Sequence, residues 1–306
     1  MLKTLCLSLL ALSTHALTHT NDTQGNIIGG QIITNTSYPF MASLAYYGEF
    51  MCGGSLIAPD WVLTAAHCVL QATVLGNDTF LVPLPAANIT VRIGSSEHSR
   101  GGQVYQVMEA IPHPQYVLSG IRSHDMALVR LNATSNATTV KLLANGPPPK
   151  DTSLNVLGWG VNNTAVRTSS DKLKQVTLKQ VDDGMRRSAL SINNMPVTDD
   201  YLAAGGIVGE SACYGDSGGP LLVSGDGYVQ AALVSFGVNA LHKDSSNRVD
   251  VRCARQGDVG FYYRVDRELA WIQQTINVPV EAWTVRGNWQ TSSASRVNHF
   301  LLNWLW

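Results

Sequence analysis

Gly215-Asp216-Ser217-Gly218-Gly219-Pro220 is the stretch that decides how the rest of the chain is read. One hydroxyl, on Ser217, stands between glycines that let backbone N–H groups approach a reacting atom, which is the setting of a nucleophile. Serine is a weak nucleophile at neutral pH, so chemistry at Ser217 calls for a base and for a group that orients it. His67 and Asp125 are the candidates.

Composition bounds the reading. A chain of 306 residues, 45% hydrophobic, can bury a substantial core, and all-β barrels reach this length as one unit. Lys+Arg number 21 against 22 Asp+Glu, so nothing argues for nucleic acid or an anionic membrane as a partner. With 27 glycines and 14% charged residues the chain favours turns and short strands over a helical bundle.

The N-terminus reads as an export signal over residues 1–16: Lys3 precedes the apolar run Leu5 to Leu12, and Thr14-His15-Ala16 offers a cleavage point. That run is too short to span a bilayer. Seven Asn-x-Ser/Thr triplets, at Asn21, Asn35, Asn77, Asn88, Asn132, Asn136 and Asn162, agree with a secreted, extracellular glycoprotein. Of the five cysteines Cys6 leaves with the signal, and Cys52, Cys68, Cys213 and Cys253 remain. Two disulfides are the expectation in an oxidising compartment, with three pairings open.

Short apolar segments separated by turn residues follow: 38–46, 55–57, 61–64, 104–111, 126–131, 154–157, 176–181, 219–223, 229–236 and 260–265. One window keeps a helical period, Asp266 to Ile276, with Leu269, Ile272 and Ile276 on one face and Asp266 as the expected N-cap. The expected fold is all-β, closed by a C-terminal helix.

Four motifs stand in a telling order: Ile27-Ile28-Gly29-Gly30, Thr64-Ala65-Ala66-His67-Cys68, Asp125-Met126-Ala127-Leu128 and Gly215 to Pro220. Between them lie Cys52-Gly53-Gly54-Ser55-Leu56, His113-Pro114-Gln115-Tyr116, Gly158-Trp159-Gly160, Ser235-Phe236-Gly237 and Gly260-Phe261-Tyr262. The set resembles the chymotrypsin-like serine proteases over residues 27–276. Singly, Ser217 reads as a turn serine, His67 as a satisfied histidine and Asp125 as a strand-edge charge; the ordered set favours chemistry.

The resemblance implies two packed six-stranded antiparallel β-barrels and the triad Ser217 (nucleophile), His67 (base, then acid) and Asp125 (orienting the imidazole). It places the oxyanion hole on the N–H groups of Gly215 and Ser217, and Ser235 against the buried aspartate. It also implies a zymogen with a propeptide over residues 17–26, in which a new α-amino group at Ile27 pairs with Asp216. Most relatives carry Arg or Lys before that cut and this chain has Asn26, so an activating protease of other specificity is expected. Ser211 falls at the pocket floor, where trypsin-like members carry aspartate and chymotrypsin-like members serine, and Gly237 and Gly260 fall on the walls. An open, uncharged slot favours large apolar or aromatic residues before the scissile bond.

By the same resemblance Cys52 pairs with Cys68 and Cys213 with Cys253. A third family bridge ending near Ala203 is missing, so residues 182–200 are expected to be looser. The long loop 238–252 carries His242, Lys243, Asp244, Asp250 and Arg252; it reads as a solvated insertion, with Asp244 or Asp250 at the pocket mouth as the alternative. In Gly94 to Gly102 Glu97 is the only carboxylate, too few for a calcium cage, and no metal or cofactor is assigned. Residues 277–306 form a Trp-rich extension (Trp283, Trp289, Trp304, Trp306) expected to pack on the body. Expected partners are protein or peptide substrates, an activating protease and protein inhibitors. The competing function is a catalytically silent relative acting as a secreted binding or inhibitory protein.

Overall fold

The computed structural model describes residues 28–34, 37–76, 78–117, 123–163, 168–224, 228–243 and 253–287. The first barrel is built from β1 (Met41–Tyr46), β2 (Glu49–Ala58), β3 (Trp61–Thr64), β4 (Ile89–Ile93), β5 (Gln103–Pro112) and β6 (Ala127–Leu131). Its order is β1-β2-β3-β6-β5-β4, and it closes where β4 pairs with β1. The cause is visible in β4, which buries Ile89, Val91 and Ile93 and leaves Thr90 and Arg92 half-exposed, the period-two pattern of a strand with one face on a core. Leu44, Leu56, Val62 and Leu128 join them out of water.

The second barrel uses β7 (Leu154–Gly158), β8 (Lys174–Leu178), β9 (Tyr201–Gly205), β10 (Pro220–Val223), β11 (Val229–Asn239) and β12 (Asp258–Arg264). These run in the order β8-β7-β10-β11-β12-β9. Backbone beyond β8 completes the circle: Val181 N–H donates to Ala203 O at 3.0 Å and Gly205 N–H to Lys179 O at 3.1 Å. The all-β expectation and its two barrels therefore hold, and both disulfides form as expected, Cys52–Cys68 and Cys213–Cys253.

The structure adds one helix and corrects one local expectation. Within residues 182–200 it forms α1 (Asp183–Ile192), its N-cap Asp182 accepting the Met185 N–H at 2.8 Å. Arg186 then ties α1 to Thr198 O at 2.7 Å. Asp266 does not cap the final helix, because its carboxylate is held by the Arg264 guanidinium at 2.6 Å while the chain passes through a 3-10 turn, Val265–Arg267. That helix, α2 (Leu269–Ile276), buries Ile272 and Ile276. A two-stranded hairpin, Leu70–Leu75 with Asp78–Pro83, was also not foreseen; among the described residues it pairs only with itself.

Beyond α2, Trp283 is buried, its indole N–H donating to Val278 O at 3.1 Å, and Thr284–Val285 runs parallel to Lys141–Leu143. Trp289, Trp304 and Trp306 lie outside the described residues, as do residues 1–27. Among the described residues no helix is long and apolar enough to cross a membrane.

Candidate active site

His67 and Asp125 are brought together by strand pairing. In the antiparallel pair β3–β6, Thr64 lies opposite Ala127, so the turn after β3 and the residues before β6 share one end of the first barrel. His67 sits in that turn, Ala66–Cys68, which the Cys52–Cys68 bridge ties to β2. Its Nδ1 stands 2.8 Å from Asp125 Oδ2 and 3.1 Å from Oδ1, and its backbone N–H donates to Oδ1 at 3.0 Å. Ser235, on β11 of the other barrel, donates its hydroxyl to Asp125 Oδ2. Complete burial would push the Asp125 carboxyl up, but the His67 charge and the bonds from His67 and Ser235 outweigh it and hold the group below its ordinary value.

Ser217 arrives on the loop before β10. Its carbonyl accepts the Gly53 N–H at 2.9 Å, and Gly53 O accepts the Thr64 hydroxyl at 2.8 Å. The Ser217 loop is thus clamped to the first barrel beside the segment that ends in His67. Gly215 has φ +91°, and a Cβ there would stand 3.1 Å from Gly160 Cα and 3.2 Å from Phe50 Cε1, so both backbone and space call for glycine.

Asp216 points inward and is fully buried. Its Oδ1 accepts the Gly160 N–H and its Oδ2 the Cys213 N–H, each at 2.8 Å. Gly158-Trp159-Gly160 now has a physical reason: a Cβ on Gly158 would lie 2.0 Å from Asp216 Oδ1, and one on Gly160 2.5 Å from its Cγ. Burial raises the Asp216 carboxyl to about 6, against the pull of those two bonds and of Lys174. Ile27 lies outside the described residues; its neighbour Ile28 bridges to Ser211, whose N–H donates to Ile28 O at 3.2 Å.

The residues expected to line a substrate pocket lie on neighbouring segments. Gly237 and Gly260 are direct partners across β11–β12, and Cys213–Cys253 spans from the Ser217 loop to the chain entering β12. Ser211 is half-buried, its hydroxyl donating to Ala212 O at 2.6 Å. Tyr262, fully buried, places its hydroxyl 2.8 Å from where a Gly260 Cβ would be. Tyr214 is exposed, and Phe236 stacks on Phe261 at 4.9 Å. His242 and Lys243 are exposed, whereas Asp244, Asp250 and Arg252 lie outside the described residues.

The family model described as Trypsin matches residues 27–272. The chain belongs to the trypsin family of chymotrypsin-like serine proteases. It is 30% identical over 258 residues to "Trypsin Blo t 3" of Blomia tropicalis, covering 82% of this chain and 86% of that one. It is 31% identical over 284 residues to "Trypsin" of Phaedon cochleariae, covering 90% and 98%.

Behind Asp125 this trypsin-family chain carries a polar cluster that sequence reading missed. Glu268 is buried and its carboxylate meets His113 Nε2 at 3.1 Å, His124 Nδ1 at 2.6 Å and the Tyr263 hydroxyl. Burial would raise Glu268, but the hydrogen bonds from His113, Tyr263 and His124 bring it down to about 2. His124 adopts φ +56°, just before Asp125. Ligand atoms of His113, His124 and Glu268 lie within 4.8 Å of one another, yet the site does not suit a metal. His113 Nδ1 accepts the Gln115 N–H at 3.2 Å, so its proton resides on Nε2 and is given to Glu268, leaving no lone pair there for an ion. Glu97, in the loop weighed for calcium, is taken up by Arg100.

Proposed function

We propose that the chain is a secreted serine endopeptidase, made as a zymogen, that hydrolyses peptide bonds through an acyl-enzyme. The observation that carries this reading is the buried Asp125 carboxylate gripping His67 Nδ1 from one barrel and Ser235 from the other, beside the clamped Ser217 loop. With Nδ1–H turned to Asp125, Nε2 is the imidazole's free lone pair. Ser217 Oγ attacks the scissile carbonyl carbon and its proton passes to Nε2. His67 then protonates the leaving amine as the C–N bond breaks, and water repeats the sequence on the ester. Asp125 stabilises the imidazolium and keeps the tautomer. The N–H groups of Gly215 and Ser217 receive the carbonyl oxygen's charge; one such donor is worth about 10²–10³ in rate.

The preference we propose is for a large apolar or aromatic residue before the scissile bond. The relatives are named trypsin. By the resemblance, however, Ser211 falls at the pocket-floor position, where it offers a hydroxyl in place of the carboxylate that would meet an arginine or lysine, with the paired Gly237 and Gly260 at the wall positions. The signal over residues 1–16 and the Asn-x-Ser/Thr triplets support secretion. The zymogen reading rests on Asp216, whose buried carboxylate suits the α-amino group that a cut after Asn26 would create at Ile27.

A fluorophosphonate probe on the chain beginning at Ile27 tests the reading. Labelling of the wild type and none of Ser217→Ala is expected, with Phe or Tyr peptide substrates cleaved far faster than Arg or Lys ones. An unlabelled wild type would leave the silent binding protein as the better account.

A further inference from the structure

Asp125 stands at the apex of a three-residue turn whose flanks are both tied to one buried carboxylate. Met126 N–H donates to His124 O at 2.7 Å across the turn, and Met126 O accepts the His113 N–H at 2.8 Å. His124 adopts φ +56°, a left-handed conformation that is uncommon for a residue with a side chain and persists where the surroundings hold it. Two contacts hold it here. Its Nδ1 meets Glu268 Oε1 at 2.6 Å, and its ring stacks on His113 with centroids 4.6 Å apart and planes 9° from parallel.

His113 closes the circuit. Its Nε2–H is given to Glu268 Oε2 at 3.1 Å, so Glu268, His124, Asp125, Met126 and His113 form one ring of contacts and covalent bonds, with Asp125 as a member. Glu268 is fixed in turn by the end of the second barrel. It stands between the 3-10 turn Val265–Arg267 and α2, its carbonyl accepts the Ile272 N–H at 2.9 Å, and Ile272 is buried. Helix α2 also lays Trp271 edge-on against His113, ring centroids 4.7 Å apart, and the Tyr263 hydroxyl donates to Glu268 Oε1. An ionised carboxylate only accepts, and Glu268 is held down at about 2, so the proton of the His124 contact belongs to Nδ1.

Resting on the serine-protease reading above, we infer that Glu268 is a positioning residue for the reaction: through His124 it fixes the backbone that aims Asp125 at His67. The aim matters because the Asp125 carboxylate, 2.8 Å from His67 Nδ1, must stabilise the imidazolium as it forms. A misplacement of about 1 Å at such a contact costs about 10²-fold in rate. The final helix thereby buttresses the first barrel's aspartate as well as closing the fold.

The test uses the chain beginning at Ile27 as wild type, Glu268→Gln, His124→Gly, His124→Asn and the double variant E268Q/H124G. Gln keeps the shape of Glu268 and loses its charge and one acceptor. Gly keeps the left-handed backbone and drops the grip, whereas Asn tolerates that backbone and carries an amide N–H in place of Nδ1–H. Reactive sites are counted by complete fluorophosphonate labelling, and kcat and KM for a Phe ester are expressed per labelled site, which removes any misfolded fraction. E268Q and H124G are each expected to lower kcat about tenfold with KM little changed, and H124N to stay within about twofold of wild type. The double variant should be no slower than H124G, because both changes cut the same link. The low-field proton NMR signal of His67 Nδ1–H should shift in E268Q and H124G and stay in H124N, which a loss of stability alone would not produce. Wild-type kcat in E268Q, a double variant slowed by the product of the two single effects, or, should E268Q not fold, equal kcat in H124G and H124N would each overturn the inference and leave the protease reading standing. If wild type fails to label, the protease reading falls and this inference with it.

Discussion

Ser235→Ala removes one hydrogen bond from a carboxylate held wholly out of water. Ser235 is 2% exposed and donates to Asp125 Oδ2, the oxygen that also faces His67 Nδ1 at 2.8 Å. A hydrogen bond to a charged group contributes about 1.5–3 kcal/mol. In a domain of this size each kcal/mol moves Tm by about 2–4 °C, so a fall of about 3–12 °C is expected at neutral pH. The bonds from His67 survive, so the fold persists. In catalysis the weakened grip on the imidazolium should lower kcat about tenfold, about 1.4 kcal/mol, with KM little changed. The pH dependence has a definite sign. Asp125 lies below its ordinary value of 3.8 when folded, so its contribution is complete above that pH and is lost as pH falls through and below it. Without Ser235 the folded carboxyl climbs back towards 3.8, so the Tm gap between wild type and variant should be full near neutrality and narrow on acidification. Thermal melts from pH 3 to 7, with ester turnover at pH 7, measure both. A gap that widens in acid, or a variant as stable as wild type at pH 7, would refute the reasoning.

Three further outcomes are expected. Gly215→Ala forces a Cβ onto φ +91° and into Gly160 and Phe50, and should lower kcat about 10²-fold or more while the protein stays folded by circular dichroism. Ser211→Asp places a carboxylate at the pocket floor and should turn a peptide-library profile from Phe and Tyr towards Arg and Lys; an unchanged profile would mean that other residues set the preference. Glu268, brought down to about 2 from 4.5, contributes stability that is complete above pH 4.5 and lost as pH falls from there to about 2. Wild type should therefore lose about 3 kcal/mol across that window in urea melts, and Glu268→Gln should be less stable at pH 6 but much flatter in acid.

Much of the site is legible in the chain because its motifs are local. Thr64 to Cys68, Asp125 to Leu128 and Gly215 to Pro220 each carry a residue whose type announces its chemistry, and period-two alternation such as Ile89-Thr90-Val91-Arg92-Ile93 announces strands. Helix α1 escaped because only Ala189 and Leu190 on it are buried, too narrow an apolar stripe to stand out. Asp266 misled because a residue that can cap a helix can equally pair with Arg264, and the nearer cation won.

What the sequence determined by itself is the set of candidate reacting groups, the strand-rich architecture and the even cysteine count, all properties of residue type and short-range order. Only the tertiary structure decided which side chains share a slot. Lys174 and Gly158 become partners through β-register, Asp216 fills the space that Gly158 leaves, and Glu268 collects His113, His124 and Tyr263 from three separate segments. Such pairings are set by which strands close a barrel and in what register, and nothing in the local pattern of either partner records them.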